Sequence, residues 1–212
     1  MDSPGRKGSH DRRNRADASD RWTSLSHAEL LPFCLDDAPG AWEEFLRRFS
    51  DLIYSTLRKY SLTEDDRLEA YQATIVAVSE RLIQLRSPES LVPWIIGISM
   101  RQAAMRIRTY ARESIEQIED AHHARRLDPH APDLLPPEEI ERLQSAQQLR
   151  EGLAALSERC RRMLTALFLD EPPLDYREVA ELEGLSMGSV GPIRGRCLER
   201  LRDFFNERGW LE

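Results

Sequence analysis

The fold is decided by the stretch Asp175-Tyr-Arg-Glu-Val-Ala-Glu-Leu-Glu-Gly-Leu-Ser-Met-Gly-Ser-Val-Gly-Pro-Ile-Arg-Gly-Arg-Cys-Leu-Glu-Arg-Leu-Arg202, which predicts two short helices around a tight turn. In the first helix, apolar residues recur at helical spacing: Tyr176, Val179, Ala180 and Leu182. Gly184 can adopt the left-handed conformation that ends a helix. Ser186 is placed to cap the second helix by accepting a bond from a backbone N–H.

The second predicted helix combines a buried stripe with a basic outer surface. Apolar residues recur at intervals of three and four: Val190, Ile193, Cys197, Leu201 and Phe204. Its other faces carry four arginines against a single acid, Glu199: Arg194, Arg196, Arg200 and Arg202. A helix, a glycine-containing turn and an arginine-rich second helix are the plan of a helix-turn-helix that reads DNA. The alternative is an ordinary helical bundle whose arginines are simply solvated.

Glycine and proline are unusually frequent at the start of this second helix. Gly188, Gly191 and Gly195 are poor helix formers, and Pro192 lies too deep to be a first-turn proline, so a kink is expected. Two interpretations remain open. Either side chains are missing so that DNA can approach the backbone closely, or the helix begins further along the chain.

The composition of the 212 residues is that of a soluble globular protein, with 41% hydrophobic and 32% charged residues. No apolar run is as long as a membrane span, and the charged N-terminus lacks the apolar core of a signal peptide, which predicts a cytoplasmic protein. The three cysteines lie on apolar helical faces and are expected to be reduced core residues, without a disulfide: Cys34, Cys160 and Cys197.

The pattern along the chain predicts an all-α protein made of two small helical domains joined by a flexible acidic linker. Residues 1–22 are polar and without periodicity and are expected to be a disordered tail. Residues 23–112 predict a four-helix domain. Residues 113–141 are acidic and contain prolines, as linkers do, and residues 142–212 form the second domain with the helix-turn-helix.

The last two helices of the first domain have apolar stripes at helical spacing. The stripe of the third helix is expected to be buried: Leu68, Tyr71, Ile75, Val78, Leu82 and Leu85. The fourth helix is expected to direct its own set inward: Leu91, Trp94, Ile95, Ile98 and Met105. Pro93 is acceptable there because it falls in the first turn.

The net charge of −7 is unevenly distributed. Residues 113–143 hold nine acids and three bases, a net −6, whereas residues 96–112 carry four arginines and no acid. On that helix Arg101, Arg108 and Arg112 lie within about 40° of one another. Two separate basic helices suit contact with nucleic acid. The competing interpretation of the arginines on residues 96–112 is a solvated helix end that complements the helix dipole.

The sequence contains no constellation that predicts catalysis. It lacks a glycine loop with a lysine, a nucleophile elbow and a histidine–carboxylate pair at a usable spacing. His122, His123 and His130 lack nearby cysteines or regular spacing, so a metal site is not expected. We therefore expect no enzyme activity, no catalytic residue, no metal and no cofactor.

The order of these elements resembles that of bacterial RNA polymerase sigma factors, in the extracytoplasmic-function group. The resemblance covers residues 25–205, and it is carried by a set of ordered motifs rather than by one. The matching stretches are Ala-Trp-Glu-Glu-Phe-Leu at 41–46, Leu-Glu-Ala-Tyr-Gln-Ala-Thr at 68–74, Pro-Trp-Ile-Ile at 93–96, Tyr-Arg-Glu-Val-Ala at 176–180, and residues 186–201, which match best.

The resemblance implies a subunit that binds core RNA polymerase, directs initiation at particular promoters and helps open the DNA. It implies that Glu69 and Gln72 dock on a coiled coil of the largest polymerase subunit. The residues implied at the downstream (minus-ten) element are Arg86, Ser87, Arg101, Arg108 and Arg112. Those implied at the upstream (minus-thirty-five) element are Ser189, Arg194, Arg196 and Arg200. An anti-sigma factor is an expected partner.

Two other functions fit the sequence. The chain could be a stand-alone helix-turn-helix regulator that binds DNA without serving as a polymerase subunit. It could also be an interaction adaptor whose basic helices pair with the acidic linker of the same chain. Any DNA binding would then depend little on salt.

Overall fold

The computed structural model describes residues 21–23, 25–117 and 134–210, with only the backbone for 110–117, and all regular structure in these ranges is helical. The prediction of an all-α protein is confirmed. The chain divides into two compact units, Met1–Gln144 and Ser145–Glu212. Most of the predicted tail and of the predicted linker lies outside the described residues.

Besides the helical residues 21–23, the first unit contains, within its described residues, four longer helices and part of a fifth. They are α1 (His27–Leu35), α2 (Ala41–Leu57), α3 (Glu64–Arg81), α4 (Leu91–Gln117) and the beginning of α5 (Pro137–Ala155), with 3₁₀ turns at Leu82–Gln84 and Pro88–Ser90. The second unit contains the rest of α5 together with α6 (Glu158–Phe168), α7 (Tyr176–Glu183) and α8 (Met187–Glu207).

Side-chain caps fix where several helices begin. Thr63 accepts a bond from the backbone N–H of Asp66, and Ser157 accepts one from Cys160. Each bond satisfies a backbone donor that the first turn of a helix leaves unpaired. Threonine and serine are residue types that favour this position, so both helix starts follow from the local sequence.

The core of the first unit is built on α2, whose buried aromatic residues pack with α1, α3 and α4. Phe45, Phe49, Leu52 and Ile53 are each 1% exposed or less, and Ile95 and Ile98 of α4 meet the same core. Leu135, Ile140 and Leu143 also pack on this core. The segment expected to be a linker therefore contributes apolar residues to the first unit, and α4 and α5 both extend into it.

Two residues expected inside this core lie outside it. Leu68 of α3 is 54% exposed and Met105 of α4 is 56% exposed, so both predictions of burial are wrong. The core-facing side of α3 is made instead by smaller residues, Ala70, Thr74, Ala77 and Val78. These let α3 pack closely and turn Leu68 to the solvent.

A buried carboxylate joins the start of the described chain to α2. Glu44 is 4% exposed and binds Nε of Arg47 and Nε of Arg48, each at 2.6 Å. Arg48 also donates to the carbonyl oxygens of Leu25 at 2.8 Å and Trp22 at 2.6 Å. Trp22, at the end of the predicted tail, is itself 3% exposed. Burial alone raises the pKa of Glu44, but bonds and charges from both arginines bring it below its usual value.

The second unit has two small apolar clusters that meet at Ile193 of α8. One joins α5, α6 and the second half of α8 through Leu153, Leu156, Leu164 and Leu201. The other joins α6, α7 and the beginning of α8: Met163, Ala166, Leu167, Val179, Ala180 and Val190. Helix α8 is therefore held along its length by α6.

Cys160 of α6 and Cys197 of α8 are joined by a disulfide. The prediction of reduced, unpaired cysteines is wrong for these two. The buried faces of α6 and α8 bring their Cα atoms to 5.3 Å, a separation that a disulfide can span. Cys34 remains a free, buried thiol, and burial raises its pKa to about 11.

Candidate nucleic-acid interface

Helices α7 and α8 occupy the positions of the two helices predicted around the turn. Asp175 caps α7 through the backbone N–H groups of Arg177 and Glu178. Gly184 ends α7 at φ 62°, the left-handed conformation expected of it. Ser186 is at the N-cap of α8, but its hydroxyl lies 2.6 Å from the hydroxyl of Ser189 and makes no capping bond. The predicted DNA-contacting Ser189 is thus held by Ser186.

The first half of α8 has a strip without side chains on its outer surface, made by Gly188, Gly191 and Gly195. The helix begins at Met187 and runs through Pro192, so the interpretation that it begins later is wrong. A Cβ added at Gly188, Gly191 or Gly195 would meet no atom within 4 Å. Since nothing in the described chain fills this space, packing within the protein does not explain the glycines.

The predicted DNA-contacting arginines of α8 differ in their surroundings. Arg196 and Arg200 are exposed. Arg194 is half-buried, and its guanidinium donates to the hydroxyl of Tyr176 and lies 5.5 Å from the ring centre. Tyr176 and Leu182, expected on the buried face of α7, are 37% and 60% exposed, so these two predictions are wrong.

Glu183 fixes α7, and through it the turn, against α6. Its side chain is 1% exposed, and Nε and Nη2 of Arg162 donate to its two oxygens at 2.9 and 3.0 Å. Hydrogen bonds from Arg162, followed by the charges of Arg162 and Arg159, lower the pKa of Glu183 despite the opposing effect of burial. Two parallel bonds of this kind set an orientation as well as a distance.

We predict that acid destabilises the second unit through this carboxylate. Because the folded pKa of Glu183 is below its unfolded value of about 4.3, the pair stabilises the fold above that value. This stabilisation is lost as the pH falls through the folded pKa. Hydrogen exchange of α6 and α7 measured from neutral to acidic pH should show the loss. Glu183→Gln should abolish this part of the pH dependence, and an unchanged profile would contradict the assignment.

The basic residues of α4 lie on two flanks. Arg101 and Arg108 are exposed, as predicted, whereas the side chain of Arg112 lies outside the described residues. Arg106 binds Asp66 at 2.5 Å and Glu69 at 2.6 Å and so connects α4 to α3. In the preceding loop, Arg86 is exposed and Ser87 donates a hydrogen bond to Glu89.

The outer face of α3 carries the residues predicted to bind polymerase. Gln72 is exposed and the side chain of Glu69 is 58% exposed. Leu68 and Val76, each 54% exposed, lie on the same face within about 100° of helical arc. This apolar component was not predicted from the sequence. The spacing of four on either side of Gln72 could have revealed it.

No family model matches the chain, and no curated protein matches it. Among the described helices, none has the length and hydropathy needed to cross a bilayer. Within the same residues, no group of three histidine, cysteine or acidic side chains is arranged to hold a metal. His122, His123 and His130 lie outside the described residues.

Proposed function

We propose that the chain is a sigma factor that binds core RNA polymerase and directs promoter-specific initiation of transcription. The observation that carries the proposal is the outer surface of α8. Its open glycine face is followed along the helix by the exposed Arg196 and Arg200, which lie together on one side of it, while α6 and α7 hold the opposite face. The resemblance of residues 25–205 to the extracytoplasmic-function group connects this surface with polymerase.

At the upstream promoter element, α8 would enter the major groove. Bare backbone at Gly188, Gly191 and Gly195 lets the helix axis approach the base edges more closely than a helix with full side chains could. Arg196 can then pair bidentately with a guanine edge, the commonest specific contact in the major groove. Arg200 would contact phosphates, which positions the helix without specifying sequence.

At the polymerase, the outer face of α3 would be the docking surface. Leu68 and Val76 supply apolar area, and Glu69 and Gln72 supply polar groups that fix the orientation. Such a mixture is typical of surfaces that associate reversibly, since their centre excludes water and their rim remains polar. Arg106 positions Glu69 from α4.

At the downstream element, the exposed Arg101 and Arg108 of α4 would follow the phosphates of the DNA, with Arg112 next along the helix. The loop with Arg86 and Ser87 precedes this helix and presents polar groups that could bind an unstacked base during opening. By the same resemblance, an anti-sigma factor would regulate the protein by covering its polymerase-binding surface.

The test is run-off transcription with purified bacterial core polymerase and a library of DNA fragments. We expect discrete transcripts that require the protein and are lost when Glu69→Ala and Gln72→Ala are combined. The matched control combines Glu43→Ala and Asp51→Ala, two exposed acids of α2, and should transcribe as the wild type does.

Two outcomes would contradict this function. DNA binding without any transcript from core polymerase would identify a stand-alone regulator instead. DNA binding that is insensitive to salt, or absent, would favour an adaptor whose arginines contact acidic protein segments, because phosphate contacts release counterions and weaken steeply with salt.

We also predict that Gly188→Ala combined with Gly195→Ala weakens promoter binding by about tenfold or more, since lifting the helix off the bases loses at least one bidentate contact. The variant should fold at least as stably as the wild type, because alanine favours a helix and the added methyl groups meet no neighbour. Asn206→Ala, near the end of α8, is the control. Undiminished affinity of the double variant in a footprinting titration would refute the close approach.

A further inference from the structure

Tyr176 and Arg194 form a pair that connects the beginning of α7 to α8. Nη1 of Arg194 donates a hydrogen bond to the hydroxyl oxygen of Tyr176, and the guanidinium carbon lies 5.5 Å from the centre of its ring. The ring attracts the cation in addition to the hydrogen bond. A long and otherwise flexible side chain is therefore held in one place between the two helices.

The Tyr176–Arg194 pair retains a hydrogen-bond donor for a group outside the protein. A phenol oxygen that accepts a bond from a guanidinium keeps its own proton for donation to another group. Within the described residues the Tyr176 hydroxyl donates to no group, and Tyr176 is 37% exposed, so its O–H is available to an acceptor outside the protein. The neighbouring backbone donors of α7 are already taken, because Asp175 accepts bonds from Arg177 and Glu178. An external acceptor would thus be bound by the two side chains.

We propose that Tyr176 and Arg194 together bind one phosphodiester group of the DNA backbone. Arg194 supplies the charge, and Tyr176 is a positioning residue that fixes the guanidinium and adds its own O–H as a second donor. Accepting a bond from a cation polarises the hydroxyl and strengthens it as a donor. The inference rests on the proposed DNA-binding role of α8 and assigns to Tyr176 a role that its expected burial would have excluded.

The pair contacts DNA without reading sequence, so it can be tested before any promoter is known. The probe is a short, mixed-sequence, fluorescein-labelled duplex, titrated with the full chain at about 50 mM salt and followed by anisotropy. Tyr176→Phe removes only the hydroxyl and keeps the ring. We expect Y176F to weaken binding about fivefold. R194Q should reduce the slope of log Kd against log salt by about 1.

The decisive measurement is the double-mutant cycle. If the two residues act together, Y176F should change the affinity of R194Q by about twofold at most. In R200Q, which lacks a different exposed arginine of α8, Y176F should retain its about fivefold effect. Hydrogen exchange of α7 and α8 checks that each variant is folded, which is expected because Tyr176 is 37% exposed.

Equal effects of Y176F in the R194Q and R200Q proteins would overturn the pair, as would an affinity unchanged by Y176F in the wild type. Either result leaves DNA binding by α8 intact. A wild-type chain that does not bind the duplex at low salt would overturn the DNA-binding proposal itself, and the pair with it. The two failures are therefore distinguishable.

Discussion

Reduction of the Cys160–Cys197 disulfide is expected to lower the unfolding free energy of the second unit by about 4 kcal/mol. The bond closes a loop with a sequence separation of 37 residues, and opening it restores conformational freedom to the unfolded chain. A small helical unit has little stability to spare, since whole domains are typically stable by only about 5–15 kcal/mol. We therefore expect reduction to bring this unit close to unfolding.

Hydrogen exchange with mass spectrometry on the intact chain can follow this unit separately. Peptides from α6, α7 and α8 should lose protection when a dithiol reductant is added, whereas peptides from α2 should not. The matched control combines Cys160→Ala and Cys197→Ala, and its exchange should not respond to the reductant. Equal protection of the wild-type α6–α8 peptides before and after verified reduction would show that the disulfide adds nothing to stability.

Glu44→Gln is expected to destabilise the first unit by about 3–5 kcal/mol. The change preserves the shape of the side chain but removes the buried charge that faces Arg47 and Arg48. The side chain of Arg48 is only 10% exposed. Without the Glu44 carboxylate, its positive charge would be left unpaired where water solvates it poorly. The same guanidinium binds the carbonyl oxygens of Trp22 and Leu25, so that segment should loosen as well.

Glu43→Gln is the matched control for this prediction, because Glu43 is the exposed neighbour of Glu44 in the same turn of α2. Urea denaturation of both variants gives the difference in unfolding free energy, and hydrogen exchange at Trp22 and Leu25 reports the loosening. If Glu44→Gln and Glu43→Gln were equally stable, the buried carboxylate would have no structural role beyond filling space.

The parts of the fold that depend on local chemistry could be predicted from the sequence. Thr63 and Ser157 cap helices because each hydroxyl accepts a bond from the backbone N–H three residues further along the chain. Gly184 ends α7 because its backbone adopts the left-handed conformation, which requires no other residue. These interactions need no knowledge of distant residues. The all-α class follows in the same way from the repeated spacing of three and four.

Residues at the border of an apolar face could not be placed in this way. Leu68, Met105 and Tyr176 all fit a helical stripe, yet each is exposed because the partner helix lies to one side of that stripe. Composition was equally misleading after α4, where acidic residues and prolines suggested only a linker while Leu135 and Ile140 pack on the first unit. The positions of the neighbouring helices determine whether these residues are buried. The periodicity of the sequence carries no information about those positions.

In the candidate site, too, features of a single helix could be predicted from the sequence, whereas contacts between helices could not. The exposure of Arg196 and Arg200 follows from their positions outside the apolar stripe of α8 and was predicted correctly. The engagement of Arg194 with Tyr176, the ion pair of Glu69 with Arg106 and the disulfide each join residues on different helices. Contacts of that kind require the packing angle between two helices, which is a property of the folded unit.

The disulfide also closes a covalent ring within the second unit. Residues 160–197 close on themselves, and the ring contains all of α7 and the glycine-rich half of α8. Residues 170–173 are an exposed connection within it, where a protease could cut. One cut there would linearise the ring without releasing a fragment. The severed α8 would stay bound to α6 through sulfur until a reductant separated the two pieces.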